Sequence, residues 1–332
     1  MQIEAFSLGK LLADPGANED RFVVLPGRAY AVIDGVTDRL GTRYDGMLSG
    51  RYAATIVKGA LEHLLSAPDA PLDDPEAVVA IMTEALAAAY RRHDMLDAAA
   101  KDWNRRFACT LSLAAVSGDR LIVLLVGDSG VRINGSKLLQ DEKDLDKITA
   151  TLRVTAWPLL CEAVADPAER EKTSRLLTWN GTRNAAKVLN GLLSDEQLVG
   201  IETAAIAANK AALPHVPEAD ITYLVQGGIV HAQGKYLNNT ESGLGYGCLD
   251  GFEIPRSLYQ THEFPLAEVE TVELFTDGYF TPGEGFGVAA WESTFARVER
   301  EDPSKTGTYP SVKGSTAEGF ADDRTYLGVR LG

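Results

Sequence analysis

Histidine is scarce in this sequence: five residues in 332, none spaced as a metal ligand or set in a catalytic-triad order. His63, His93, His215, His231 and His262 therefore read as surface or satisfied core residues. Cysteine is scarcer still. Cys109, Cys161 and Cys248 are odd in number and lack the paired spacing of a zinc site, which fits a reducing compartment. Basic residues are outnumbered, 32 Lys and Arg against 47 Asp and Glu, and the net charge of −15 excludes a general nucleic-acid binder. Apolar runs are short: "LIVLLVG" at 121–127 is far below the ~20 residues that span a bilayer. The opening "MQIEAFSLGK" has no basic flank followed by an apolar core, so no secretory leader is read there. A Gly-rich loop ending in Lys-Ser or Lys-Thr is missing, and "GDSG" is not a nucleophile elbow. These absences leave a soluble, cytoplasmic protein rich in carboxylates, which serve either as solvated surface or as cation ligands.

What is present is ample core material. Hydrophobic residues make up 45% and charged residues 24%, enough for a single large domain over 1–332. "RFVVLPG" and "AYAVIDG" read as strands joined by a turn at Pro26 and Gly27. "SGRYAATIVKGALEHLLS" spaces Tyr52, Ile56, Ala60 and Leu64 as one helical face. A second helix is expected after Asp74, with Pro75 in its first turn, running towards Trp103 over a stripe of Val78, Met82, Leu86 and Tyr90. Strand runs follow in "ACTLSLAAVS", "RLIVLLVG", "VRING" and "SKLLQ". From 141 to 214 the composition shifts to Ala, Leu, Lys and Glu, which predicts an inserted helical cap. Strands are expected again in "ITYLVQGGIVHAQGKYL", with a hairpin or bend at Gly227 and Gly228, and in "EVETVELFTDGYF". A helix at "GVAAWESTFARVER", a turn-rich stretch over 302–319 and a final strand in "FADDRTYLGVRLG" complete the pattern.

Three of these segments share one arrangement. "YAVIDG", "LFTDG" and "FADDRTYLGV" each put Asp at the boundary between an apolar strand and a turn. Strands lying side by side would bring Asp34, Asp277 and Asp322 together at a rim. Crowded carboxylates repel unless a divalent cation neutralises them, and an all-oxygen donor set suits Mg²⁺ or Mn²⁺ rather than zinc. An Asp-Gly pair alone also serves as an ordinary turn; the ordered set is what points to a site.

In chain order, "NED" (18–20), "AVIDG" (31–35), "VGDSG" (126–130), "FTDG" (275–278) and "DDRTYLGV" (322–329) resemble the metal-dependent PP2C-like serine/threonine protein phosphatases of bacterial type. The resemblance implies an α+β fold, a four-layer αββα sandwich of two antiparallel sheets flanked by helices, with 141–214 as an inserted cap or flap. It implies a hydrolase acting on phosphoserine or phosphothreonine in proteins, with two divalent cations, Mn²⁺ or Mg²⁺, as cofactors. By position, Asp34 would bridge the two ions and the Gly35 carbonyl would bind one of them. Asp277 and Asp322 would hold the other ion. Asp20, with Glu19 beside it, would serve the second ion directly or through water. Asp128 resembles the acid that, with Asp277, holds a third, weaker ion. A water shared by the two ions, its pKa lowered towards ~7, would give the hydroxide that attacks phosphorus in line.

The chain also departs from that family's pattern. Pro15 stands where many members carry the Arg that grips the substrate phosphate, while Lys10, Arg21 and Arg39 nearby read as surface charges. Val36 and Thr37 follow the first Asp-Gly and leave no protein acid there. Thr281 replaces an acid found in some members, and Asp323 is left to brace Asp322. Two alternatives therefore stand beside the protein phosphatase: a non-catalytic regulatory or binding module that kept the fold, and a phosphatase of a small phosphorylated metabolite. The helical insertion would select substrate, dock a partner protein or merely finish the core.

Overall fold

Period-2 burial on both faces decides how the strands stack. In β3 (Ala29–Ile33), Tyr30 and Val32 enter one apolar cluster, while Ala29, Ala31 and Ile33 enter another. Its neighbours β6 (Leu111–Ser117) and β7 (Arg120–Val126) divide in the same way: Leu121, Val123 and Leu125 face the first cluster, Leu113, Leu124 and Val126 the second. With β2 (Arg21–Leu25) and β10 (Gln260–Pro265) they form an antiparallel sheet in the order β10-β7-β6-β3-β2. A second antiparallel sheet comprises β1 (Gln2–Leu8), β12 (Arg324–Arg330), β11 (Thr271–Phe275), β8 (Gly130–Ile133) and β9 (Lys137–Leu139), in that order. Its Val131, Ile133, Val272, Leu274, Leu327 and Val329 meet Tyr30 and Val123 of the first sheet in the shared core. The coordinates are a computed structural model and describe residues 1–37 and 40–331.

Helices cover the outer faces. A short hairpin, β4 (Arg43–Tyr44) with β5 (Met47–Leu48), leads into α1 (Ser49–Ser66); α2 (Pro75–Arg92) and α3 (Leu96–Lys101) follow. Tyr52, Leu61, Val78, Met82 and Leu86 pack these helices on the first sheet. Asp74 caps α2 by accepting from Ala77 N, with Pro75 opening the helix as its lack of an N–H allows. The helix stops at Arg92 instead of continuing to Trp103, because Asp94 turns into the left-handed region at φ 54°. On the second sheet, α8 (Val288–Glu301) lays Trp291 and Phe295 against Phe275 and Tyr326. The layers are α-β-β-α.

Between β9 and β10 stand four helices: α4 (Asp144–Ala163), α5 (Pro167–Val188), α6 (Asp195–Ala212) and α7 (Glu218–Ala232), with a core of their own that includes Ile148, Leu152, Leu177 and Leu224. The helical stretch expected over 141–214 thus continues through α7, and the strand expected in "ITYLVQGG" is a helix. Ile221, Leu224 and Val225 fall at i, i+3 and i+4, and that spacing prevails over the local β-propensity. Gly227 and Gly228 make no hairpin. Gly228 (φ 62°) kinks α7 where it meets a matching kink at Gly181 (φ 69°) of α5. A Cβ on Gly181 would lie 2.2 Å from the Gln226 carbonyl oxygen, so the two backbones touch. The opening residues also form a strand that the sequence pattern did not announce: β1, paired from Gln2↔Arg330 to Leu8↔Arg324. Among the described residues, no helix is long and apolar enough to cross a membrane.

One buried charge pair joins α8 to the second sheet. Glu273 accepts from Arg132 Nε (2.7 Å) and Nη2 (2.8 Å), Trp291 Nε1 (2.8 Å) and Tyr326 Oη (2.9 Å), while Arg132 donates to the carbonyls of Gly283 and Gly285. Glu273→Ala, which strands the Arg132 guanidinium, should cost about 3–5 kcal/mol in urea unfolding, and Glu273→Gln less.

Candidate active site

Five strand ends open onto one rim. Asp20 precedes β2, Asp34 follows β3, Asp128 lies between β7 and β8, Asp277 follows β11, and Asp322 with Asp323 precedes β12. Backbone and hydroxyl ties hold the rim. Thr110 N donates to the Asp34 carbonyl (2.8 Å), and Thr110 Oγ1 bonds Ser129 Oγ (2.7 Å), linking the first Asp-Gly to "GDSG". Thr276 Oγ1 donates to Asp20 Oδ2 and accepts from Thr325 N, both at 2.8 Å. A Cβ on Gly278 would lie 2.0 Å from the Asp323 carbonyl oxygen, so only glycine lets the Asp277 turn sit against the acid pair of β12.

Asp34, Gly35, Asp128, Asp277 and Asp322 line a single cavity of about 360 Å³. Asp34, Asp277 and Asp322, expected to come together at a rim, share this cavity wall. Asp20 is buried beside it, its charge felt at Asp34. Glu19 is buried too, but its Oε2 accepts from Lys10 Nζ at 3.0 Å. The Asp323 carboxylate, expected to brace Asp322, instead accepts from the backbone N–H groups of Lys10 (2.6 Å) and Glu19 (3.2 Å); it is the Asp323 backbone N–H that donates to Asp322 Oδ1 (3.0 Å).

Electrostatics split these acids into two sets. Burial, then the Asp277, Asp20, Asp322 and Asp128 charges, push the Asp34 carboxyl well above the usual range. Burial and the Asp128 and Asp322 charges raise Asp277 to about 7, against the pull of Lys313 and a hydrogen bond with Asp34. Burial and Asp323 raise Asp20 to about 8, and its Oδ1 is buried without a hydrogen-bond partner. Asp322 behaves in the opposite way. Burial disfavours its charge, but Lys10 and Lys313 outweigh that and hold it well below the usual range. Its Oδ1 takes Lys10 Nζ at 3.0 Å and its Oδ2 takes Lys313 Nζ. Asp128 is likewise matched, by Lys143 Nζ at 2.7 Å.

The donor chemistry, all oxygen, fits a hard divalent cation at the Asp34 and Asp277 side, where crowded carboxylates have no ammonium at hydrogen-bond distance and the nearby Asp20 keeps an orphaned buried oxygen. It does not fit at Asp322, where ammonium groups already fill both oxygens. Among the described residues, no group of three or more His, Cys, Asp or Glu side chains is closed up as a metal site.

The lysines are what the sequence reading missed. Lys10, read as a surface charge, is centred among Glu19, Asp322 and Asp323; Arg21 donates to the Asn18 and Asp20 carbonyls; Arg39 lies outside the described residues. Pro15 is exposed in a turn of 3₁₀ helix, and no group there reaches the cavity, whose basic side chains are Arg106, Lys143, Lys147 and Lys313. Partners lying 312 residues away, as Asp322 does from Lys10, leave no local signal.

No protein-family model matches this chain, and no curated protein matches it. Among solved structures it is similar to the serine/threonine phosphatase PstP/Ppp of Mycobacterium tuberculosis, at 16% identity over 99% of this chain and 98% of that one, with a TM-score of 0.45. It is also similar to the serine/threonine phosphatase Stp1 of Staphylococcus aureus, at 11% identity over 100% and 96%, with a TM-score of 0.47.

The split between the acids has a measurable sign. In chelator at neutral pH, Asp277→Asn relieves repulsion and should raise stability, whereas Asp322→Asn takes from Lys313 its carboxylate partner and from Lys10 one of three and should lower it, each by about 1–3 kcal/mol in thermal or urea unfolding.

Proposed function

We propose that this chain is a divalent-cation-dependent phosphomonoester hydrolase acting on phosphoserine or phosphothreonine in proteins. The observation that carries the reading is the meeting of Asp34, Asp128, Asp277 and Asp322 from four separate strand ends on one cavity, in the chain order of the PP2C-like motifs. Asp34, Asp277 and Asp20, with the Gly35 carbonyl, would hold the cation, Mn²⁺ or Mg²⁺. A cation there would polarise water for attack on phosphorus and neutralise charge on the phosphoryl oxygens. Arg106 and Lys143 also stand on the cavity wall, each already paired with carboxylates, Arg106 with Asp250 (2.8 Å) and Lys143 with Asp128 (2.7 Å) and Asp146 (3.2 Å). Among the described residues, no histidine lines the cavity; water held there would serve to protonate the leaving oxygen. Trp179, Ile229 and Gln233 of the helical cap form part of the same wall, which makes the cap the selector of what enters. Cys109 and Cys161, neither of them in a disulfide, suit a reducing, cytoplasmic setting.

A second reading has its own observation. The lysines seated on Asp322 and the absence of Arg at position 15 favour a binding module that kept the fold without the chemistry. Hydrolysis of p-nitrophenyl phosphate and of a phosphothreonine peptide, with Mn²⁺ and with chelator, separates the two. The hydrolase requires turnover that depends on the cation and falls at least about 100-fold in Asp34→Ala and Asp277→Ala. Turnover insensitive to chelator, or none at all, defeats it. A peptide-against-metabolite comparison decides the substrate class.

A further inference from the structure

The lysine cluster is not a set of stray surface charges. Lys10 Nζ lies 3.0 Å from Glu19 Oε2, 3.0 Å from Asp322 Oδ1, 3.3 Å from Asp323 Oδ2 and 3.3 Å from Thr37 Oγ1. Lys313 Nζ takes the remaining Asp322 oxygen and reaches the same Thr37 Oγ1 at 3.3 Å. Both side chains are largely buried, 17% and 12% exposed.

Structured backbone presents both ammonium groups. Lys10 is pinned to the segment before β12: its N–H donates to Asp323 Oδ1 (2.6 Å) and its carbonyl accepts from Phe320 N (2.9 Å). The segment carrying Lys313 is held by the cap. Arg153, fully buried in α4, donates to the carbonyls of Ser304 (2.7 Å), Lys305 (3.1 Å) and Ser311 (3.2 Å) and pairs with Glu171 of α5. Glu171 Oε1 in turn accepts from Gly314 N at 2.7 Å. A cation delivered this way is part of the fold.

A divalent ion on Asp322 would have to share its oxygens with two positive charges at hydrogen-bond distance, an arrangement like-charge repulsion forbids. Asp34, Asp277 and Asp20 have no such partner: among the described residues no lysine or arginine pairs with them, and Asp20, 2% exposed, holds an unpartnered oxygen. We infer that the Asp322 side of the rim is a fixed lysine–carboxylate centre that takes no metal, so that the chain binds one divalent ion, at the Asp34 and Asp277 side of the cavity, instead of the two its motifs imply. The inference rests on the cation-dependent reading above and narrows it.

Calorimetric titration of the whole chain with MnCl₂ tests it without recourse to turnover. The expected result is one Mn²⁺ per chain, affinity lost at least about 10-fold in Asp277→Asn, and affinity held within about threefold in Asp322→Asn. The double variant Lys10→Met with Lys313→Met, which removes the excluding charges, should take up a second ion. Two ions in the unaltered chain, equal weakening by Asp277→Asn and Asp322→Asn, or a folded double variant that still takes one ion each overturn the inference and leave the hydrolase reading standing. No Mn²⁺ uptake by the unaltered chain overturns both. Should the double variant fail to fold, the comparison of the two asparagine variants decides alone.

Discussion

Like charge concentrated at one rim is the constraint around which this molecule is arranged. Five strand ends deliver carboxylates to a common place, and in a desolvated setting such groups drive one another towards the neutral form, as Asp34, Asp277 and Asp20 show. The sandwich tolerates this because its stability is drawn from elsewhere. Both sheets are apolar on both faces, each strand end is fixed by its own ladder, and the repulsion stays local. Relief comes unevenly. Lys10 and Lys313 neutralise Asp322 and Lys143 meets Asp128, while Asp34, Asp277 and Asp20 have no lysine or arginine in ion-pair contact among the described residues.

The helical cap takes part in this arrangement. Its helices could have been a pad on the core, yet α4 and α5 grip the stretch before β12 through Arg153 and Glu171, and α7 contributes to the cavity wall. Lys143, immediately before α4, meets Asp128. Two of the three lysines on the rim thus depend on the cap or its entrance for their positions. The close backbone contact between α5 and α7 at Gly181 and Gly228 makes these helices move, if at all, as one body.

Much of this was legible in the residues. The β2–β3 pair, α1 to its terminal residues, the "LIVLLVG" strand and the ordered Asp-Gly turns follow from periodicity and turn chemistry, which act over a few residues. The site was legible as a set of acids because each sits at a strand end, a position the pattern marks by itself. What escaped has long-range causes. "ITYLVQGGIVHA" reads locally as a strand and becomes α7 because packing against α5 selects its helical face. The opening strand β1 is defined by its partner β12, at the far end of the chain. Lys10 looks like any exposed lysine until Glu19, nine residues on, and the far more distant Asp322 and Asp323 close around it.

The pairing of β1 with β12 fixes the timing of assembly during synthesis. Lys10 and Asp323 are 313 residues apart, and nothing translated early can occupy their place. A nascent chain can complete the β10-β7-β6-β3-β2 sheet and raise the cap while β1 still has no neighbour, but the ammonium-filled corner closes only when the ribosome delivers β12. Chaperone demand should therefore fall on an edge of the second sheet, since the acidic rim cannot close before β12 is present.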